Sequence, residues 1–221
     1  MCCNGNGRSI GWAGGLAVLL LVSVLWATAS AEPLVKRYLA GEHYQRIDEP
    51  IGYQGEQIPV VEFFLYSCPH CYALEPSVSA WRKNLPEDVD FQRIPVPFGN
   101  DGPFYARLFY ASKALGVLER MHAKVFDAIH QQGKPLNNLP AARAFFAAHG
   151  VDDERFTQTF NSSEVDEQVA AAAQLLRAFQ VRGVPSFAVA GRYYIIGRMA
   201  GTNEAMLDVA DYLIQQSRGQ Q

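Results

Sequence analysis

The sequence Cys68-Pro69-His70-Cys71 places two thiols two residues apart, directly after the apolar run Val60 to Tyr66. A Cys-x-x-Cys pair between a strand and a helix is typical of thiol–disulfide exchange. Within one helical turn the two sulfurs can close into a small disulfide or open into a thiolate and a thiol. The pair Cys68–Cys71 is therefore the candidate redox-active disulfide.

The two cysteines should have different roles. Cys68 falls at the expected helix N-terminus, where unpaired N–H groups and the helix dipole favour an anion, so we expect it to be the nucleophile. His70 adds a hydrogen bond or a positive charge. Cys71, one turn further on, should be more buried and act as the resolving thiol. Because a stabilised thiolate makes the disulfide a strong oxidant, Pro69 and His70 between the cysteines favour disulfide donation.

The sequence gives less support to two other interpretations of the cysteine pair, a zinc site and a structural disulfide. A zinc site normally needs four ligands, but there is no second cysteine pair and the other histidines are scattered. A structural disulfide would close a loop too short to add much stability. We therefore expect no metal and no bound cofactor.

Val184-Pro185 precedes a predicted hairpin and is the candidate substrate-binding loop. A cis bond here would bring the loop against the cysteines and free the Val184 backbone to pair with an extended chain. A trans bond is the default for an X–Pro pair, and the residues alone do not decide between the two.

Glu62 interrupts an apolar strand six residues before Cys68. A buried carboxylate is costly without a partner, and burial raises its pKa. Glu62 is either a proton relay for Cys71 or one half of an ion pair with a lysine or arginine.

For several other residues near the site, a structural role is at least as well supported by the sequence as a functional one. Aromatic and proline side chains near the site either form an apolar surface for unfolded chains or pack in the core; these are Tyr66, Pro69, Tyr72 and Phe98. His122 and His130 are most simply structural.

The first 31 residues read as a cleaved secretory signal peptide. Arg8 is the only charge before Glu32, an apolar stretch runs from Ile10 to Trp26, and Ala29-Ser30-Ala31 is a small-x-small cleavage site. The alternative is an uncleaved membrane anchor, for which the stretch is slightly short. Cleavage removes Cys2 and Cys3 and places the protein in an exported compartment, where disulfides persist.

Composition and periodicity give the organisation of the 221 residues. The net charge of −3, without a basic run, gives no indication of nucleic-acid binding. A strand, a helix and a second strand precede about five helical segments, which are followed by a hairpin and a final helix capped by Asn203. This order predicts an α/β fold: a mixed sheet flanked by helices, with an all-helical insertion.

With these residues in place, the chain resembles the DsbA family of periplasmic thiol:disulfide oxidoreductases. The likeness rests on residues 61–72, on residues 182–187 and on the helical block between them. It implies a thioredoxin fold with an inserted helical domain, in which Glu62 is the buried acid and Pro185 a cis-proline. It also implies transfer of the Cys68–Cys71 disulfide to newly exported proteins through a mixed disulfide on Cys68.

The partners implied are reduced, unfolded exported proteins and a quinone-linked membrane oxidase of the DsbB type. We expect a monomer with a signal peptide at 1–31, a thioredoxin-like first part at 32–97, a helical insertion at 98–179 and a thioredoxin-like second part at 180–221. The alternatives are an exported isomerase or reductase, for which 32–60 is too short to hold the usual dimerisation domain, and a non-redox, chaperone-like peptide binder.

Overall fold

A computed structural model of the protein describes residues 37–52 and 56–219. The predicted signal peptide, its cleavage site, and Cys2 and Cys3 lie outside these residues. The described part contains five strands and eight helices in the following chain order: β1 Gln45–Arg46, β2 Ile58–Phe64, α1 Pro69–Arg82, β3 Val89–Pro95, α2 Gly102–Ala114, α3 Leu118–His130, α4 Leu139–Ala148, α5 Asp153–Phe160, α6 Ser163–Ala178, β4 Ser186–Val189, β5 Tyr193–Ile196, α7 Gly197–Ala200 and α8 Ala205–Arg218.

The five strands form one mixed sheet in the order β1-β5-β4-β2-β3. β2 and β3 are parallel and joined through α1, whereas β4 pairs antiparallel with both β2 and β5. β2 therefore lies inside the sheet, and its C-terminal end delivers the chain to the cysteine pair. The predicted α/β class with a mixed sheet is confirmed.

β2 is buried on both faces, as its unbroken apolar run predicts. Val61 and Phe63 belong to one apolar cluster, shared with the block α2–α6, and Val60 belongs to a second cluster shared with α8. The strand ends at Phe64, two residues earlier than the apolar run suggests. Leu65 and Tyr66 instead form the turn that leads into α1.

The helical block lies between β3 and β4, as predicted. Helices α4 and α5 begin at local capping signals: the Asn138 side chain accepts from the Ala141 N–H at α4, and the Asp152 side chain accepts from the Arg155 N–H at α5. Among residues 37–52 and 56–219, no helix has the length and apolar character needed to cross a bilayer.

Three local features differ from the sequence-based expectations. β1 and α7, of two and four residues, are too short to show a period and were not predicted. Asn203 does not cap the last helix with its side chain; the Thr202 hydroxyl instead accepts from the Ala205 N–H. Short elements of this kind are fixed by their neighbours rather than by their own sequence.

Candidate active site

The cysteine pair stands at the N-terminus of α1. Cys68 is the N-cap residue, with an extended backbone, and Pro69 occupies the first turn, where its missing N–H is no loss. Cys68 is half-buried, whereas the Cys71 side chain is only 1% exposed. The predicted difference in accessibility between the two thiols is therefore present.

The surroundings of Cys68 favour its thiolate. The Cys71 thiol donates a hydrogen bond to the Cys68 sulfur, the backbone N–H groups of Cys71 and His70 also donate to it, and the charge of His70 adds to these effects. Together they outweigh partial burial and lower the pKa of Cys68 to about 6. At neutral pH this thiol is largely ionised, the form that attacks disulfides.

Cys71 is held in the opposite state. Its hydrogen bond to the Cys68 sulfur raises the pKa of the Cys71 thiol most, followed by burial, and the charge of Glu62 raises it further. Cys71 therefore keeps its proton while Cys68 is a thiolate. The pair holds one proton and one negative charge.

The loop before β4 faces the cysteines. The Val184–Pro185 bond is cis, the form implied by the family resemblance. The Val184 carbonyl oxygen lies 3.7 Å from the Cys68 sulfur, although the two residues are 116 positions apart in the chain. The Ser186 hydroxyl donates to the Gly183 carbonyl and accepts from the Tyr194 hydroxyl, which ties the loop to β5.

Glu62 is buried and forms an ion pair, which is one of the two roles expected from the sequence. Its Oε2 accepts from the Arg93 Nε at 2.8 Å, and the two residues are register partners in the parallel pair β2–β3. Burial raises the pKa of Glu62, Glu75 adds to this, and Arg93 opposes both. The electrostatic effect of Glu62 on Cys71 keeps a proton-relay role open beside the ion pair.

A buried polar chain that sequence reasoning missed continues from Arg93. Its Nη2 donates to both carboxylate oxygens of Glu75, and Glu75 Oε2 lies 3.3 Å from His122 Nε2. The Tyr66 hydroxyl lies 2.8 Å from His122 Nδ1. A neutral His122 with its proton on Nε2 satisfies both contacts, in agreement with burial lowering the pKa of His122.

The sequence does carry a signal for this chain. Glu75 lies four residues after Cys71, on the same buried helix face, and Arg93 interrupts a predicted strand as Glu62 does. Charged residues at positions whose periodicity demands burial must find partners. That these charged residues need partners was therefore available from the sequence, whereas the structure decided which residues pair.

The four candidates for an apolar surface divide between surface and core. Tyr66 is a core residue, 1% exposed. Pro69 and Phe98 are exposed, and Tyr72 is half-buried, with its hydroxyl donating to Asp127 and its ring stacked on His130. His130 Nε2 in turn lies 2.8 Å from the Tyr66 carbonyl oxygen, so both histidines, His122 and His130, make structural contacts.

The described part of the chain contains no group of three or more His, Cys, Asp or Glu residues that could hold a metal ion. The protein groups at the site supply a nucleophilic thiolate, a protonated second thiol and a buried acid. These can carry out disulfide exchange by themselves.

Comparison with known proteins places these features in a family. The model of the DSBA-like thioredoxin domain matches residues 59–213. The thiol:disulfide interchange protein DsbA of Azotobacter vinelandii is 43% identical over 172 residues, covering 78% of this chain and 80% of that protein. The DsbA of Pseudomonas aeruginosa strain PAO1 is 38% identical over 203 residues, covering 91% of this chain and 94% of that protein.

Solved structures agree with the sequence comparisons. The crystal structure of Pseudomonas aeruginosa DsbA has a TM-score of 0.79 at 40% identity, covering 82% of this chain and 95% of that one. The oxidoreductase DsbA from Xylella fastidiosa has a TM-score of 0.77 at 34% identity, covering 82% and 98%. The likeness extends over nearly the whole described structure.

Proposed function

Because this chain belongs to the DSBA-like thioredoxin family, we propose that it donates its Cys68–Cys71 disulfide to exported proteins through Cys68. The chain is a thiol:disulfide oxidoreductase, like the relatives that carry that name. The observation that carries our assignment of roles is the half-buried Cys68 thiolate at the start of α1, beside a buried, protonated Cys71.

The exchange balances with the groups at the site. A client thiolate attacks the Cys68 sulfur of the disulfide, forming a mixed disulfide and releasing Cys71, which takes up a proton because its pKa is raised. A second client thiolate attacks the client sulfur, the client disulfide forms, and Cys68 leaves as a thiolate. Two electrons pass to the protein; one of the two client protons goes to Cys71 and the other to solvent.

Glu62 and His70 assist this transfer at different thiols. Glu62, whose pKa is raised by burial, relays a proton to or from Cys71. His70, exposed in the first turn, stabilises the leaving Cys68 thiolate, and Pro69 fits the first helical turn between the two cysteines. Val184 and Pro185 hold the client as an added extended segment beside Cys68.

Turnover requires an oxidant. The reduced pair Cys68 and Cys71 passes its two electrons to a quinone-linked membrane oxidase of the DsbB type, which restores the disulfide. We propose that the protein works in the periplasm as a monomer and needs no bound cofactor.

Export rests on the N-terminal sequence. We propose cleavage after Ala31 and domain limits at 32–97, 98–179 and 180–221, since the helices α2–α6 all fall between β3 and β4. Mass spectrometry of the exported protein tests the first point, because a mature chain that still begins near Met1 would contradict cleavage.

The function itself is tested by equilibrating the purified protein with glutathione. A reduction potential near the −120 mV known for a DsbA supports a disulfide donor, whereas about −270 mV, as for thioredoxin, would make it a reductase or isomerase. A Cys71→Ser variant should accumulate mixed disulfides on Cys68. A Cys68→Ser variant should lose all exchange, and retained activity in that variant would indicate a non-redox binder.

A further inference from the structure

A groove of about 590 Å³ adjoins the cysteine pair. Its lining includes His70, Val184 and Pro185, together with Arg182 and with Arg198 in α7. Because Val184 lies against the Cys68 sulfur, a polypeptide in disulfide exchange with Cys68 has this groove beside it. The residues that flank a client cysteine therefore lie within reach of the two arginines.

Arg182 and Arg198 differ from the arginines that are paired with acids. Arg82, Arg93, Arg107, Arg143 and Arg218 each form a salt bridge with a carboxylate. In residues 37–52 and 56–219, neither Arg182 nor Arg198 has such a partner, and both are exposed. Their positive charges are left without a matching acid.

The formal charges among the residues that line the groove are all positive. The described residues that line it include no aspartate or glutamate. A neighbouring hollow shares Gln180 and Arg182 with it, adds Arg177, and again has no acid among its described lining residues. The residues lining these two hollows carry positive charge, although the chain as a whole has a net charge of −3. The local electrostatic field therefore depends on where the arginines lie and not on the overall composition.

We propose that Arg182 and Arg198 make the protein selective for client cysteines flanked within a few residues by aspartate or glutamate. This inference rests on the proposed function and names its preferred class of client. Carboxylates on the client pair with the two guanidinium groups as the mixed disulfide on Cys68 forms, and they speed the encounter. A basic flanking sequence meets repulsion at the same place.

The test uses three dithiol peptides that differ only in the residues around the cysteines, which are glutamate, glutamine or lysine. Oxidation of each by the disulfide form of the protein is followed at low salt under second-order conditions. We expect the glutamate peptide to react about tenfold faster than the lysine peptide, the size expected of two partly exposed ion pairs. Added salt should shrink this ratio because exposed charges are screened.

Matched variants assign the effect to the groove. Arg182→Gln combined with Arg198→Gln should bring the glutamate-to-lysine ratio close to one. Lys113→Gln combined with Arg155→Gln removes the same charge from exposed positions outside the groove, and it should keep the wild-type ratio.

The outcomes separate this inference from the function beneath it. If the wild-type protein oxidises all three peptides at equal rates, it is still a disulfide donor and the charge selectivity is wrong. If it does not oxidise even the glutamine peptide, the proposed function fails and the inference fails with it. If the groove variant keeps the wild-type ratio but is reoxidised more slowly by membranes, the arginines serve the membrane oxidase and the client selectivity is overturned.

Discussion

At the scale of single residues, two identical side chains in one helical turn are held in opposite protonation states. Cys68 caps α1 and receives hydrogen bonds, whereas Cys71 is buried and gives one. Position relative to the helix end, rather than residue type, thus decides which thiol ionises, and on this difference we base the proposed roles of attacking and resolving thiol.

The ionisation of Cys68 gives the first prediction. Titration of the reduced protein, followed by thiolate absorbance near 240 nm, should show a midpoint at about 6. Cys68→Ser should remove this transition, because Cys71 keeps its proton. A midpoint near the ordinary value of 9.0 would contradict the proposed stabilisation of the thiolate.

The second prediction concerns Glu62, the buried acid whose charge raises the pKa of Cys71. Glu62→Gln should slow exchange roughly 10- to 100-fold and flatten its pH dependence, because the relayed proton is lost. Glu75→Gln is the matched control: it removes a buried carboxylate that also bonds to Arg93 but leaves Glu62 in place. Stopped-flow rates over a range of pH measure both variants, and a wild-type profile for Glu62→Gln would leave only the ion-pair role.

At the scale of secondary-structure elements, one arginine connects the two parallel strands β2 and β3 to the helix α1 that carries the cysteines. Arg93 in β3 binds Glu62 in β2 and Glu75 in α1, and all three side chains are at most 8% exposed. The parallel register of β2 and β3 brings Glu62 and Arg93 opposite each other. The helix that carries the cysteines is thereby fixed to the sheet by charge as well as by apolar packing.

Removing that arginine gives the third prediction. Arg93→Met should lower the free energy of unfolding at neutral pH by about 3–5 kcal/mol, because it leaves two buried carboxylates without a cation. Part of the loss should be recovered in acid, where Glu62 and Glu75 become protonated. Urea unfolding at two pH values measures both effects.

The control for this variant is a surface pair of the same type. Arg218 binds Asp88 through two hydrogen bonds, but both side chains are well exposed. Arg218→Gln should change stability only slightly, since exposed ion pairs contribute little. Equal losses in Arg93→Met and Arg218→Gln would show that the buried network is not specifically stabilising.

At the scale of the whole molecule, the thiolate links redox state to stability. Folding lowers the pKa of Cys68 from 9.0 to about 6, so ionisation stabilises the folded, reduced protein once the pH exceeds about 6. The contribution grows up to pH 9 and is lost as pH falls back through 6. In the disulfide form Cys68 has no proton to lose, so its ionisation contributes nothing to the stability of that form.

The fourth prediction follows from this linkage. The unfolding free energy of the reduced protein, minus that of the disulfide form, should be flat below pH 6 and should rise between pH 6 and pH 8.5. Thermal unfolding of both forms at pH 5, 7 and 8.5 measures it, and Cys68→Ser compared with the reduced wild type isolates the contribution of this thiol. A difference that does not change over this range would contradict the linkage.

Much of the fold and part of the site follow from local sequence. The Cys-x-x-Cys pair, the buried strand before it, the helices of the block α2–α6 and the hairpin β4–β5 are set by periodicity and by residues a few positions apart. Such signals depend on interactions within one element, and for that reason sequence alone is enough to predict them. The leader at 1–31 is also predicted from sequence, and it lies outside the described structure.

Other features depend on residues far apart in the chain, and only the tertiary structure decided them. The approach of Val184 to Cys68 across 116 positions, the choice of Arg93 as partner of Glu62, and the course of the Arg182–Arg198 groove all require the sheet to be assembled. β1 forms only because β5 offers it an edge. The sequence by itself determined which chemistry the protein can perform, whereas long-range packing decided what surrounds the thiols.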